Sequence, residues 1–257
     1  IGADGIRSSV RRQLLPEAEP IYAGYVAWRG LVDEARFPPA LHRELFPCLA
    51  FCLPLGEQML GYPVAGRGDD IRSGHRRYNF VWYRPADPAT LATMLTDESG
   101  RRHEISIPPP LVAKSVIEDM RRAAADVLSP QFQELIALTA QPFLQPIYDL
   151  ESPRIGFERV ALLGDAAFVA RPHVGAGIAK AAMDAQALVA ALQSEETVPA
   201  ALARYERERI PEGRRIVAQA RRLGSFIRAR SKAEDNDREY ELDLILRETA
   251  VLDFMRT

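Results

Sequence analysis

The sequence is short of cysteine and histidine and has no surplus of either charge, and each shortage removes a class of function. Its two cysteines, Cys48 and Cys52, stand in the apolar run Pro47–Leu53. On one face of a strand they would lie roughly 13 Å apart, too far for a disulfide without a fold-back. No histidine or further cysteine is near in sequence, so no metal site is expected. They read as two buried thiols in a reducing cytoplasm. Lysine and arginine number 33 against 35 aspartates and glutamates, a net charge of −2. The concentrated basic surface that nucleic acid or an anionic membrane requires is therefore missing. The basic stretch from Arg204 to Arg230 is diluted by Glu206, Glu208 and Glu212 and reads as a solvated helix face. No apolar run reaches the roughly 18 residues of a membrane span. An initiator methionine and a signal-peptide pattern are missing too: the chain opens Ile1-Gly2-Ala3-Asp4-Gly5, as though entered in the middle of a strand.

What is present is a chain of 257 residues, 47% hydrophobic, enough for a core in one or two domains. A loop over Gly2–Arg11 leads into a β-rich stretch: Tyr25–Val32, Leu49–Leu53, Gln58–Val64 and Arg77–Tyr83. The last alternates Tyr78, Phe80 and Trp82 with Asn79, Val81 and Tyr83, which predicts a half-buried antiparallel strand. Pro54–Glu57 suits a hairpin turn. Helices are expected over Pro88–Leu95, capped by Asp87, and over Val112–Leu128 and Phe132–Leu138, split at Ser129-Pro130. Phe143–Leu150 and Arg159–Leu163 read as strands. An alanine-rich helix follows over Gly177–Leu192, then one from about Pro199 to Arg230 that Pro211 should kink or break. Helical spacing returns over Asp237–Phe254, at Leu242, Ile245, Leu246 and Leu252. The order predicts an α/β protein with an α+β substrate sheet inserted in a cofactor domain. Its divisions are 1–20 and 151–195 for the cofactor domain, 21–150 for the sheet with helices, and 196–257 for C-terminal helices.

Two strings carry chemistry. In Arg159–Ala185 a short apolar run ends at Gly164-Asp165, followed by Pro172, Gly175, Gly177 and the alanine-rich helix. A carboxylate at the end of a strand is placed to accept hydrogen bonds from a sugar or ribityl hydroxyl, because ligands on α/β sheets bind at that edge. The glycines let backbone lie against a flat ligand, and the helix N-terminus favours negative charge there. The second string, Gly2-Ala3-Asp4-Gly5-Ile6-Arg7-Ser8-Ser9-Val10-Arg11, brings a carboxylate, a flexible backbone, a cation and a hydroxyl to one loop. Alone it could equally be a capped turn into a helix.

Together the two strings resemble the "DG" and "GD" fingerprints of the para-hydroxybenzoate-hydroxylase-like class A flavoprotein monooxygenases. Within that family, Tyr22–Gly30, Asn79–Tyr83 and Ala170–Val174 are most similar to the branch that hydroxylates dihydroxypyridine rings. The resemblance implies FAD as cofactor, NADH or NADPH as reductant, and O2 as co-substrate. It implies a phenolic or hydroxypyridine ring as the small aromatic substrate, attacked by a flavin hydroperoxide. It implies that Gly164 and Asp165 hold the ribityl chain, that Pro172 lies beside the isoalloxazine ring, and that Gly175, Ala176, Gly177 and Ile178 meet its pyrimidine end. Asp4, Gly5 and Arg7 would touch the flavin and pyrophosphate region.

His173, in the Pro172–Gly175 loop, is the candidate base for the substrate's hydroxyl proton; a loop histidine bonded to backbone is the plain alternative. His42, His75 and His103 read as surface residues. Arg29, Tyr62 and Trp82 are candidates to face the substrate, against a role as plain core.

The chain departs from the family pattern at Phe168, often histidine, and at Ala179, usually asparagine. The Gly-x-Gly strings at Gly66 and Gly175 lack a third glycine, having Ile71 and Lys180. The family's opening βαβ unit with Gly-x-Gly-x-x-Gly is not found, so the expectation is this fold without that unit. A second expectation follows: a flavin-poor piece that docks a separate N-terminal chain or forms a homodimer. A halogenase of the same fold is disfavoured by the absence of a Trp-x-Trp-x-x-Ile string.

Overall fold

The computed structural model describes residues 1–227 and 238–249. These form two compact units, one gathering Ile1–Ala23 and Tyr148–Ser225 with the tail helix, the other built on Gly24–Ile147. The chain leaves the first unit within β1 (Ile21–Asp33) and returns within β5 (Phe143–Glu151).

The Gly24–Ile147 unit is a sheet with helices. Its strand order is β2 (Ala50–Cys52), β3 (Gln58–Val64), β4 (Arg77–Pro85), β1, β5. β3 pairs antiparallel with β4 from Gln58↔Tyr83 to Val64↔Arg77, and β1 pairs with β4 from Tyr25↔Pro85 to Asp33↔Arg77. The β2–β3 hairpin closes where the Glu57 amide donates to the Pro54 carbonyl at 3.1 Å. β4 is not half-buried: every residue from Tyr78 to Tyr83 is buried. It lies between two other strands, and alternation in its sequence reflects two different apolar faces rather than a wet one and a dry one.

The helices of this unit are α2 (Pro39–Leu45), α3 (Pro88–Met94), α4 (Lys114–Val127) and α5 (Pro130–Leu138). Asp87 caps α3, its Oδ1 accepting from the Ala89 and Thr90 amides at 2.8 and 2.9 Å. The thiols are not both buried. β2 is only three residues long, so Cys48 falls outside it and is exposed, while Cys52 is half-buried and accepts from the Ser129 amide at 3.4 Å.

The first unit contains α1 (Ser9–Leu14), the short hairpin of β6 (Gly156–Phe157) and β7 (Val160–Ala161), β8 (Phe168–Val169), α6 (Gly177–Ser194), α7 (Val198–Gly224) and the tail helix α8 (Arg238–Glu248). β8 pairs with the end of β5 through Leu150↔Val169. The expected strand over Arg159–Leu163 shrinks to β7 and a parallel bridge between Leu162 and Gly2. Its core joins Leu162, Phe168, Leu188, Leu202, Tyr205 and Val217.

α7 runs through Pro211 without a break. The missing hydrogen bond is offset because the helix is anchored on both sides, by Tyr205 and Arg209 before the proline and by Ile216, Val217 and Ala220 after it, all buried. In α8, Ile245 is buried and Leu246 exposed. The expected helical stretches toward Arg230 and Leu252 lie partly outside the described residues. Among the described residues no helix is long and apolar enough to cross a membrane.

Candidate functional site

The two fingerprint loops meet. Ala3 and Gly5 from one, and Leu163, Gly164 and Asp165 from the other, line a single groove of about 400 Å³ with Gly177, Ile178 and Ala181 of α6. The first turn of α6 leaves its amides without intrahelical acceptors and points its positive end into this space. A side chain at Gly177 would meet nothing within 4 Å, so that wall is bare backbone. Ile178 is 90% exposed at the rim.

Gly164 adopts a left-handed conformation, φ 63°, and presents Asp165 outward. Asp165 is solvent-exposed, yet the surrounding protein withdraws enough water to raise its carboxyl above the usual range; the Lys180 ammonium opposes that shift and Asp184 adds to it.

The loop is held from behind. Lys180 Nζ donates to the Gly164 carbonyl at 2.9 Å and pairs with Asp184 Oδ2 at 2.9 Å. The Gly164 amide donates to the same Asp184 oxygen at 3.2 Å. Arg209 of α7 reaches the other Asp184 oxygen, Nε to Oδ1 at 2.8 Å.

Arg11, 1% exposed, ties the two fingerprint loops together. Its guanidinium donates to the Ile6 carbonyl at 2.6 Å, the Ala18 carbonyl at 3.1 Å and the Ala166 carbonyl at 3.0 Å. None of Lys180, Asp184, Arg209 or the role of Arg11 follows from the fingerprints. The i,i+4 spacing of Lys180 and Asp184 was the one visible signal.

Asp4 works locally. Its Oδ2 accepts from the Ser9 amide at 2.7 Å, the Ser9 hydroxyl at 3.0 Å and the Val10 amide at 3.3 Å, so it fastens the start of α1. The hydrogen bonds from Ser8 and its neighbours hold its carboxyl far below the usual range. Arg7 is exposed, close enough to Tyr148 to favour that phenol's ionised form, although burial raises it overall.

Pro172, His173, Gly175 and Ala176 do not line the groove. They form the adjoining turn, which Arg171 anchors through a bidentate bond to buried Asp149 at 2.8–3.1 Å. His173 is 2% exposed, and burial, with Arg171 beside it, pushes its imidazole down to about 3. His42 and His103 are not free surface groups: they bond Glu34 and Asp97 at 3.0 and 2.9 Å.

The substrate candidates separate by face. In the register of β3, β4 and β1, Arg29 stands opposite Val81 and Tyr62 opposite Asn79, so both share a face with Tyr83 and Tyr25. Trp82 lies on the opposite face, fully buried, its Nε1 donating to Glu57 at 2.8 Å with the Arg84 guanidinium 4.6 Å above its ring. On the Arg29 face, Tyr25 and Tyr83 meet edge to face at 6.1 Å. Arg29 Nη1 donates to Gln145 at 2.8 Å. Its Nε and the Asn79 Nδ2 are buried without an acceptor among the described residues.

By its fold and the family models it matches, the chain belongs to the FAD-binding family of the class A aromatic hydroxylases, with the para-hydroxybenzoate-hydroxylase-like fold. Residues 22–149 match a model described as FAD binding domain-like, and 149–220 one described as FAD binding domain. The chain is 29% identical to 2,6-dihydroxypyridine 3-monooxygenase of Paenarthrobacter nicotinovorans over 88% of its own length and 56% of that protein's. The structure of 2,6-dihydroxypyridine-3-hydroxylase from Arthrobacter nicotinovorans superimposes with a TM-score of 0.82 at 27% identity, covering 91% of this chain and 59% of that one. Klebsiella pneumoniae HpxO, solved with FAD and uric acid, gives a TM-score of 0.68 at 25% identity, over 96% of this chain and 55% of that one. The chain spans about half the length of the curated relatives it matches.

Proposed function

We propose that this chain supplies the flavin groove and the substrate-facing sheet of an NAD(P)H-dependent hydroxylase of a phenolic or hydroxypyridine ring. The observation that carries the reading is the groove itself: two loops 160 residues apart in sequence converge on one glycine-lined wall, with a carboxylate at its edge and a helix N-terminus behind it. Those residues fit the ribityl and ring portion of FAD. Asp165 would accept from ribityl hydroxyls, and the α6 amides at Gly177 and Ile178 would meet the electron-rich end of the ring. When bound, the flavin supplies the redox chemistry with O2.

In the Gly24–Ile147 unit the Arg29 face suits the substrate better than the Trp82 face. It carries two buried donors, Arg29 Nε and Asn79 Nδ2, without an acceptor among the described residues, which a ring oxygen or nitrogen would satisfy; the cavity of about 240 Å³ lined by Trp28, Arg84 and Met120 lies on the Trp82 face. We assign Arg29 and Tyr62 to the substrate on the Arg29 face and Trp82, bonded to Glu57, to the core. His173 stays neutral through the physiological range. With so weak a basicity it accepts a phenolic proton poorly, and we assign it to holding the Pro172–Gly175 turn. A cytoplasmic setting accords with two thiols that are not joined.

The test is titration of the purified chain with FAD, followed by quenching of flavin fluorescence. Saturable quenching that weakens at least tenfold in Asp165→Ala supports the reading. Quenching that is absent, or equal in the variant, overturns it.

A further inference from the structure

The groove rests on an arrangement that the ligand-facing residues do not explain. α6 buries a lysine in its first turn, where the helix end is already positive. Lys180 is 1% exposed, and both a buried ammonium and its position at that helix end are unfavourable unless something uses them. What uses them is one residue, Gly164. Its carbonyl takes a hydrogen bond from Lys180 and its amide gives one to Asp184, while Lys180 and Asp184 bond each other. Three hydrogen bonds of 2.9–3.2 Å thus close a ring through the peptide of the left-handed residue that directly precedes Asp165. Arg209 completes the set from α7, so two cations share one buried carboxylate.

We propose that the Lys180–Asp184 pair, braced by Arg209, is a positioning device that locks the Gly164 turn and so sets Asp165 toward the flavin. The inference rests on the flavin reading of the groove for its consequence, but the lock itself is a property of this chain. Lys180 acts on the ligand only through Gly164 and Asp165, which it reaches from the protein interior. Its loss should therefore be felt as a loss of what Asp165 contributes, and no more.

Lys180→Met is the informative variant. It keeps the side-chain volume and leaves Asp184 paired with Arg209, so no buried charge is orphaned. Lys180→Arg restores the cation. The experiment is a double-mutant cycle on FAD affinity with Lys180→Met and Asp165→Asn, together with amide hydrogen exchange at Gly164. The expected result is at least a tenfold loss of affinity in Lys180→Met, recovery to within about threefold in Lys180→Arg, and little further loss when Asp165→Asn is added to Lys180→Met. Exchange at the Gly164 amide should quicken at least tenfold in Lys180→Met with the rest of α6 unchanged. Additive losses in the cycle, or an unchanged Gly164 amide, would overturn the lock. If the wild-type chain bound no flavin, the flavin reading would fall, and the Gly164 exchange would still decide for or against the lock.

Discussion

The two units of the chain stabilise their functional surfaces in opposite ways. The unit holding the groove buries charge: Arg11, Asp149, Lys180, Asp184 and Arg209 are all less than a tenth exposed; Arg11, Lys180, Asp184 and Arg209 bond a loop backbone or another charge that does, and Asp149 pairs with Arg171 beside the Pro172 turn. The Gly24–Ile147 unit buries mainly rings, with Trp28, Trp82, Tyr25, Tyr78 and Phe80 fully enclosed; among its described charged residues only Glu34 is as deeply buried. The difference follows from what each must present. A groove lined by backbone has few side chains with which to fix its loops, so hydrogen bonds from behind must do it. A sheet face that presents side chains needs a rigid strand under them, and close-packed rings supply that without directional bonds.

The contrast can be broken at either end. Asp184→Ala leaves Lys180 and Arg209 as unpaired buried cations and frees the Gly164 amide, and should cost about 3–5 kcal/mol in urea unfolding. A cost under about 1 kcal/mol would show the charges to be incidental to the unit. In the sheet, the sensitive change is added carbon. A Cβ on Gly30 would sit 2.5 Å from the Phe80 ring and 2.7 Å from Thr139 Cγ2, so Gly30→Ala should cost about 1–3 kcal/mol by the same measurement.

The charged unit should also be the first to respond as pH falls from neutral. His173 has a folded-state pKa depressed to about 3 by burial and the nearby Arg171. Above about 6.5 neither state binds its proton. Below that the unfolded chain does and the folded chain does not, so stability falls as pH drops from about 6.5 toward 3. Thermal midpoints of wild type should fall more steeply from pH 7 to 5 than those of His173→Gln; equal slopes would remove the buried imidazole from the account. The smallest effect is expected from Asp4, whose bonds to Ser9 and Val10 are local. Asp4→Ala should cost about 1 kcal/mol, as for a lost helix cap, with flavin affinity nearly unchanged.

What the sequence made legible was local or nearly so. Gln58–Val64, the Pro54–Glu57 turn and the Asp87 cap appear where expected because their determinants lie within a few residues of one another. The fingerprint strings located the groove because glycines and a carboxylate at fixed spacing constrain backbone directly. The rest depended on partners far along the chain. That Trp82 and Arg29 face opposite ways needs the strand register; that Pro211 leaves α7 intact needs the buried contacts on both its sides. Asp184 meeting Arg209, 25 residues on, and Arg11 meeting Ala166, 155 residues on, are pairings no spacing rule announces.

The most direct test of the central claim is the map of backbone amide shifts when the labelled chain is titrated with FAD. The account predicts that shifts concentrate at Ala3, Gly5, Gly164, Asp165, Gly177 and Ile178, and that they disappear together in Asp165→Ala at the same FAD concentration. Saturable shifts that leave these residues still and cluster elsewhere would contradict it.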